Sequence, residues 1–148
     1  MRTLIVEDEP LLAMLLEDIL IDEGHDVVGI AQTQASCDQI LGHTDPQFAF
    51  VDVRLADGPT GPAIAADLVK RHIAVVFLTG SPDLVPEGMV GAIGVMRKPY
   101  ADSQMRNVIS FLSAALTKGV TPPPPDVLKL APGSVPDRDG QMRFPMAA

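Results

Sequence analysis

The chain is expected to fold as an α/β protein on a five-stranded parallel sheet wound with helices on both faces. Three observations point there. Short apolar runs alternate with helical patterns through residues 1–118, the signal of βαβ units. The runs are apolar almost throughout rather than every second residue, as in strands covered on both faces. Acids, a hydroxyl and an ammonium stand at the ends of these runs, where an open parallel sheet binds its ligands.

Each element has its own reason. The first strand is about Thr3–Glu7. Pro10 suits the first turn of a helix, where its missing N–H is not needed. Leu12, Leu15, Leu16, Ile19 and Leu20 fall on one inward stripe of that helix, and Gly24 ends it. Asp26–Ala31 reads as the second strand, and Thr33 is placed to cap a helix to about Leu41. Gly42 to Pro46 is a turn, and Gln47–Val51 is the third strand. Pro62 begins a helix with Ile64, Leu68 and Val69 inward, and Ile73–Leu78 is the fourth strand. Pro82, Pro86, Gly88 and Gly91 leave only a short or irregular helix over 80–92. Ala92–Met96 is the fifth strand, and Ala101–Leu116 is the last of five helices, with Met105, Val108, Ile109, Leu112 and Leu116 inward.

After Lys118 the character changes. Seven of the fourteen prolines lie beyond it, four of them in Pro122–Pro125. The reading is one domain over 1–118 and a flexible Pro-rich tail over 119–148, polyproline II followed by coil. Its removal is expected to leave the domain folded. Val127, Leu128 and Leu130 form a candidate docking patch within it.

Composition bounds the function. The chain has 148 residues and is 47% apolar, the balance of a globular domain. No apolar run approaches the roughly 20 residues that span a bilayer, and the first run meets acids too early for a signal peptide. The lone Cys37 forms no internal disulfide and reads as a small buried hydrophobe. The expected setting is cytoplasmic. The net charge of −8 argues against a nucleic-acid partner. The tail carries three acids and three bases, so the whole excess lies in 1–118. His25, His43 and His72 sit at helix-to-strand junctions without a second metal ligand at useful spacing and read as surface residues.

The chemistry centres on Asp52, which closes the run Phe48-Ala49-Phe50-Val51. A carboxylate ending a buried strand is costly unless something pairs with it. Leu4-Ile5-Val6 ends in Glu7-Asp8, Val75-Val76-Phe77-Leu78 in Thr79, and Ile93–Arg97 in Lys98-Pro99. A chain running outward from the middle of the sheet places strands one, three and four side by side. Carboxylates so gathered repel unless protonated or bridged by a cation. The all-oxygen ligands favour Mg²⁺, or the similar Mn²⁺, over Zn²⁺ or Cu²⁺. Lys98 and Thr79 suit phosphoryl oxygens. Together these describe transfer of a phosphoryl group to Asp52 as nucleophile.

Four stretches carry a resemblance: Val6-Glu7-Asp8-Glu9-Pro10, Val51-Asp52-Val53-Arg54-Leu55 with Asp57-Gly58 and Gly61 following, Phe77-Leu78-Thr79-Gly80, and Arg97-Lys98-Pro99-Tyr100. In this order and spacing the chain resembles the receiver domain of two-component response regulators. The resemblance implies a flavodoxin-like (βα)5 fold with strand order 2-1-3-4-5. It implies that Asp52 accepts the phosphoryl group from a sensor histidine kinase or a histidine phosphotransfer protein. It assigns Asp8 to Mg²⁺ directly, Glu7 to it mostly through water, and the Arg54 backbone carbonyl as a further ligand. Thr79 would report the acyl phosphate, Lys98 would pair with a phosphoryl oxygen, and Pro99 stands where the family often has a cis bond.

Two departures stand out. The family's switch aromatic, three residues before the lysine, is here Val95, so the usual aromatic relay is missing; Tyr100 is the remaining candidate for output or for plain packing. The segment between Thr79 and Lys98 is short and rich in Pro and Gly. Both features resemble a subgroup of single-domain receivers, mainly from alphaproteobacteria, whose fourth strand ends Phe-Ala-Thr-Gly; here Leu78 replaces the Ala. The expected function is a stand-alone regulator that catalyses only its own phosphorylation and dephosphorylation. It would signal by contact with a downstream protein, as a monomer or a phosphorylation-dependent dimer. The alternatives are a phosphate sink and a scaffold with silent phosphorylation. A phosphohydrolase of the haloacid dehalogenase type would need an acid two residues after the nucleophile, where Arg54 stands.

Overall fold

The computed structural model describes residues 1–117 and 119–145. Lys118, at the expected domain boundary, and the last three residues of the tail lie outside the described residues. The elements are β1 (Arg2–Val6), α1 (Pro10–Asp22), β2 (Asp26–Ala31), α2 (Gln34–Leu41), β3 (Phe48–Asp52), α3 (Gly61–Lys70), β4 (Ala74–Thr79), β5 (Gly94–Arg97), α4 (Asp102–Ala115), β6 (Leu128–Leu130), β7 (Val135–Pro136) and β8 (Met142–Arg143). β1 to β5 form a parallel sheet in the order β2-β1-β3-β4-β5, as expected.

Strand alternation sorts the core into two layers. Ile5, Phe48, Phe50, Val76 and Met96 point to the α1 and α4 side, where they meet Leu16, Leu20, Met105 and Leu112. Leu4, Val6, Ala49, Val51 and Phe77 point to the other side and meet Ile64 and Leu68 of α3. Side chains of period two therefore fill both faces, which is why the strands carry no polar stripe. Thr33 caps α2 by accepting from the Ser36 N–H, and the Ser36 hydroxyl accepts from the Thr33 N–H in return.

The structure corrects several expectations. The sheet has six strands, not five, because β6 adds antiparallel to β5 with Gly94 opposite Leu130, Val95 opposite Lys129 and Met96 opposite Leu128. Pro122–Pro125 forms neither helix nor strand, but beyond it the chain returns to the domain instead of continuing as coil. Leu128, Ala131, Gln141 and Met142 are buried there. Gln141 Nε2 donates to the Ala115 carbonyl at 2.7 Å, tying the β7–β8 turn to the end of α4. The physical reason is an otherwise bare edge on β5, which apolar tail residues cover.

The expected fourth of five helices is replaced by two 3-10 turns, Pro82–Leu84 and Glu87–Gly91. Gly88, Met89, Val90 and Gly91 all have positive φ, so no right-handed helix can run through them. Leu15 and Leu116, expected inward, are exposed; Ala13 takes the inward place on α1.

Candidate functional site

The site is assembled from the carboxyl ends of β1, β3, β4 and β5. β1 delivers Glu7, whose N–H donates to the Ala31 carbonyl at 2.8 Å, and the chain then turns so that Asp8 faces the same space. β3 delivers Asp52. Oxygens of Glu7, Asp8 and Asp52 all lie within 4.8 Å of one another. β5 delivers Lys98, which is held at its backbone by N–H donation to the Thr79 carbonyl at 2.9 Å. Its ammonium donates to Asp52 Oδ2 at 2.9 Å and also to Glu7 Oε1. The Lys98–Pro99 bond is cis.

Electrostatics follow from this packing. Glu7 is 5% exposed. Burial pushes its carboxyl up to about 7; the Lys98 hydrogen bond and charge oppose that shift, and the Asp52 charge adds to it. Lys98 is raised: burial lowers it, but hydrogen bonds and charges from Glu7 and Asp52 win. One ammonium thus partly offsets three acids, and the all-oxygen cluster has the make-up of a site for a small hard divalent cation.

The loop after β3 is fixed by Gly61. A side chain there would have its Cβ 2.1 Å from the Asp52 carbonyl oxygen and 2.6 Å from Val53 Cα. Only glycine lets α3 start against the strand end, with the Gly61 N–H donating to the Val53 carbonyl at 3.0 Å. The Arg54 N–H donates to Asp52 Oδ1 at 3.4 Å, while its side chain is exposed. Thr79 is 1% exposed, and its Oγ1 accepts from the Ser81 N–H at 2.9 Å.

Glu7, Asp8, Asp52 and Lys98 are therefore brought together, with Thr79 at the neighbouring strand end. Val95 and Tyr100 are not. Val95 is buried in the layer on the α3 side, whereas Tyr100 packs against the layer on the α1 side. Tyr100 therefore does not stand in for an aromatic at position 95, because the sheet lies between them.

Sequence reasoning missed a surface beside the site. Leu11, Met14 and Leu15 of α1 are 68%, 58% and 47% exposed. Next to them Leu12, Leu15, Lys98, Pro99 and Tyr100 line a cleft of about 160 Å³. The signal was available: six apolar residues in a row, Leu11 to Leu16, cannot all face one side of a helix.

Residues 3–110 match the response regulator receiver domain family. The chain is 37% identical over 117 residues to the phyllosphere-induced regulator PhyR of Methylorubrum extorquens, covering 76% of this chain and 42% of that protein. Among solved structures, the PhyR receiver domain of Erythrobacter litoralis matches with a TM-score of 0.68 at 30% identity, covering 82% of this chain and 95% of that one. SdrG of Sphingomonas melonis matches with a TM-score of 0.63 at 36% identity, covering 78% and 96%. The chain spans about half the length or less of the curated relatives it matches. It belongs to the receiver domain family of response regulators in two-component signalling and is similar to the receivers of the PhyR type. No helix among the described residues is long and apolar enough to cross a membrane.

Proposed function

We propose that Asp52 is the phosphoacceptor of a signalling receiver, supplied by a phosphohistidine on a sensor kinase or phosphotransfer protein. The observation that carries this is the Lys98 ammonium bridging Asp52 and Glu7 inside a three-carboxylate cluster. A structural ion pair needs one acid. Three acids about one lysine leave negative charge that suits a cation and, with it, a phosphoryl group.

In the reaction a carboxylate oxygen of Asp52 attacks phosphorus. The new O–P bond gives an acyl phosphate, the N–P bond breaks, and the donor imidazole leaves with the electron pair and takes up a proton. Mg²⁺, when bound by Asp8, Asp52, the Arg54 carbonyl and, mostly through water, Glu7, supplies neutralising charge for the phosphoryl oxygens. Lys98 is held where its ammonium exchanges a carboxylate partner for a phosphoryl oxygen. The Thr79 hydroxyl leaves the Ser81 N–H to meet another. The exposed leucines and Met14 on α1 offer the donor an apolar contact beside Asp52.

The product is a signal and not a turnover: the chain acts on a downstream protein, in a cytoplasmic setting, by changing a contact surface. A phosphohydrolase reading lacks its second acid, since Arg54 occupies that place and is exposed. The test is incubation with acetyl phosphate and Mg²⁺ followed by intact-mass measurement. The wild type is expected to gain one phosphoryl group and Asp52→Asn none; equal labelling of both would sink the reading.

A further inference from the structure

We propose that the outer edge of β5 is a strand-acceptor surface for a protein partner, and that β6 is its resident, exchangeable occupant. The partner segment it fits is extended, with two apolar residues at alternate positions and an acid one residue before the first of them.

The fit of a strand there is built into β5. Gly94 is the determinant. A Cβ at this position would lie 2.6 Å from the Lys129 carbonyl oxygen, 3.3 Å from Leu128 Cδ1 and 3.3 Å from Leu130 Cα. All three nearest atoms belong to β6 and none to β4 on the other side. Glycine at 94 therefore serves the close approach of an added strand. Leu128 and Leu130 then join the core layer on the α1 side, and the Ala131 N–H donates to the Ile93 carbonyl at 2.7 Å.

The occupant is weakly held by its own length. β6 has three residues, and so short a strand is marginal alone. Buried Leu128 anchors it, and its attachment to the same chain gives an effective concentration on the order of millimolar. It also leaves the edge incompletely used. Arg97 ends β5 beyond the Met96–Leu128 pair, is exposed, and makes no ion pair among the described residues. Continued by one residue, the register would set position 127 opposite it, but the tail turns there and Val127 packs instead against the layer on the α1 side. A partner strand with a carboxylate at that place gains a cross-strand charge pair that the tail lacks, and main-chain pairing supplies the rest, the mode of strand addition. The surface does not depend on the state of Asp52.

The test uses the full chain and a fluorescent synthetic peptide of residues 125–132 carrying Val127→Glu. Two variants loosen the tail by different routes. Ala131→Pro removes the N–H bound to Ile93, and Leu128→Ser removes the buried anchor; a circular dichroism melt checks that each is folded. Each loosened chain is expected to bind the peptide about tenfold more tightly than the wild type, as the tether's competition is reduced. Adding Gly94→Ala abolishes binding, and adding Arg97→Ala weakens it to the level of the peptide with Val127 intact. Absence of saturable binding to both loosened chains, or binding indifferent to Gly94→Ala, overturns the proposal. A concentration-dependent dimer of the loosened chains in light scattering also overturns it, by assigning the edge to a second copy's β6.

Discussion

Lys98 Nζ stands 2.9 Å from Asp52 Oδ2, at the meeting of two strands that are not neighbours in the sheet. β4 separates β3 from β5, and the lysine reaches across its end. The same ammonium also holds Glu7 from β1. Three strand ends, those of β1, β3 and β5, are thus tied by a single side chain, and any group that takes Lys98 away from the acids is felt by all of them.

Removing that charge is expected to be costly at high pH and cheap at low pH. Lys98→Met leaves Glu7 and Asp52 without their ammonium, a loss of about 1–3 kcal/mol near pH 8. Near pH 5 the loss shrinks because Glu7 takes up a proton. Urea unfolding of both proteins at the two pH values checks this; an equal loss at both would count against it.

Glu7 makes the metal-free protein less stable as pH rises. Its folded value of about 7 lies above the ordinary 4.5. Its contribution is therefore fully present below about pH 4.5 and lost as pH passes 7, at most about 3 kcal/mol in size. With EDTA present, the fall in unfolding free energy between about pH 5 and pH 8 is expected to be smaller in Glu7→Gln than in the wild type. Parallel pH profiles would show that Glu7 is not the group responsible.

Magnesium should reverse that slope. A cation needs the carboxylates ionised, so binding releases a proton and tightens as pH rises through 7. The rise in melting temperature on adding Mg²⁺ is expected to be larger at pH 8 than at pH 6, and chelation should erase it. Asp8→Asn should weaken the effect about tenfold in Mg²⁺ concentration.

Gly61→Ala is expected to destabilise by roughly 2–4 kcal/mol, because the new methyl meets main chain and not a yielding side chain. The same change should slow phosphorylation by acetyl phosphate, since the strand end carrying Asp52 has to shift. Near-wild-type urea midpoints would show that α3 can slide away freely.

Leu128→Ala is expected to cost about 2 kcal/mol. A flexible tail would give no change, so thermal melts of this one variant separate a docked β6 from coil.

The acids at the site were legible because each ends an apolar run, and strand ends in a parallel sheet share one edge. Asp52, Thr79 and Lys98 could be placed from that rule and the motif order. α1 was read only in part: the inward stripe of Leu16, Ile19 and Leu20 was found, but the run Leu11 to Leu16 exceeds one face, and pattern alone could not say that Leu15 would be the residue left outside. The tail was misread for a related reason. Its prolines keep Pro122–Pro125 out of helix and strand, yet Leu128 and Ala131 are too few to announce a strand by themselves.

Sequence by itself determined the alternation of strands and helices and the residues at the acidic edge, because these follow from local periodicity, while the strand order was implied by the family resemblance of the four motif stretches. Tertiary structure alone decided that Lys98 would bridge Asp52 to Glu7, that Val95 and Tyr100 would fall on opposite faces of the sheet, and that β6 would close the β5 edge against Gly94. Each of these depends on which surfaces are left uncovered when the layers meet, and a β strand of three residues has meaning only beside the edge that receives it.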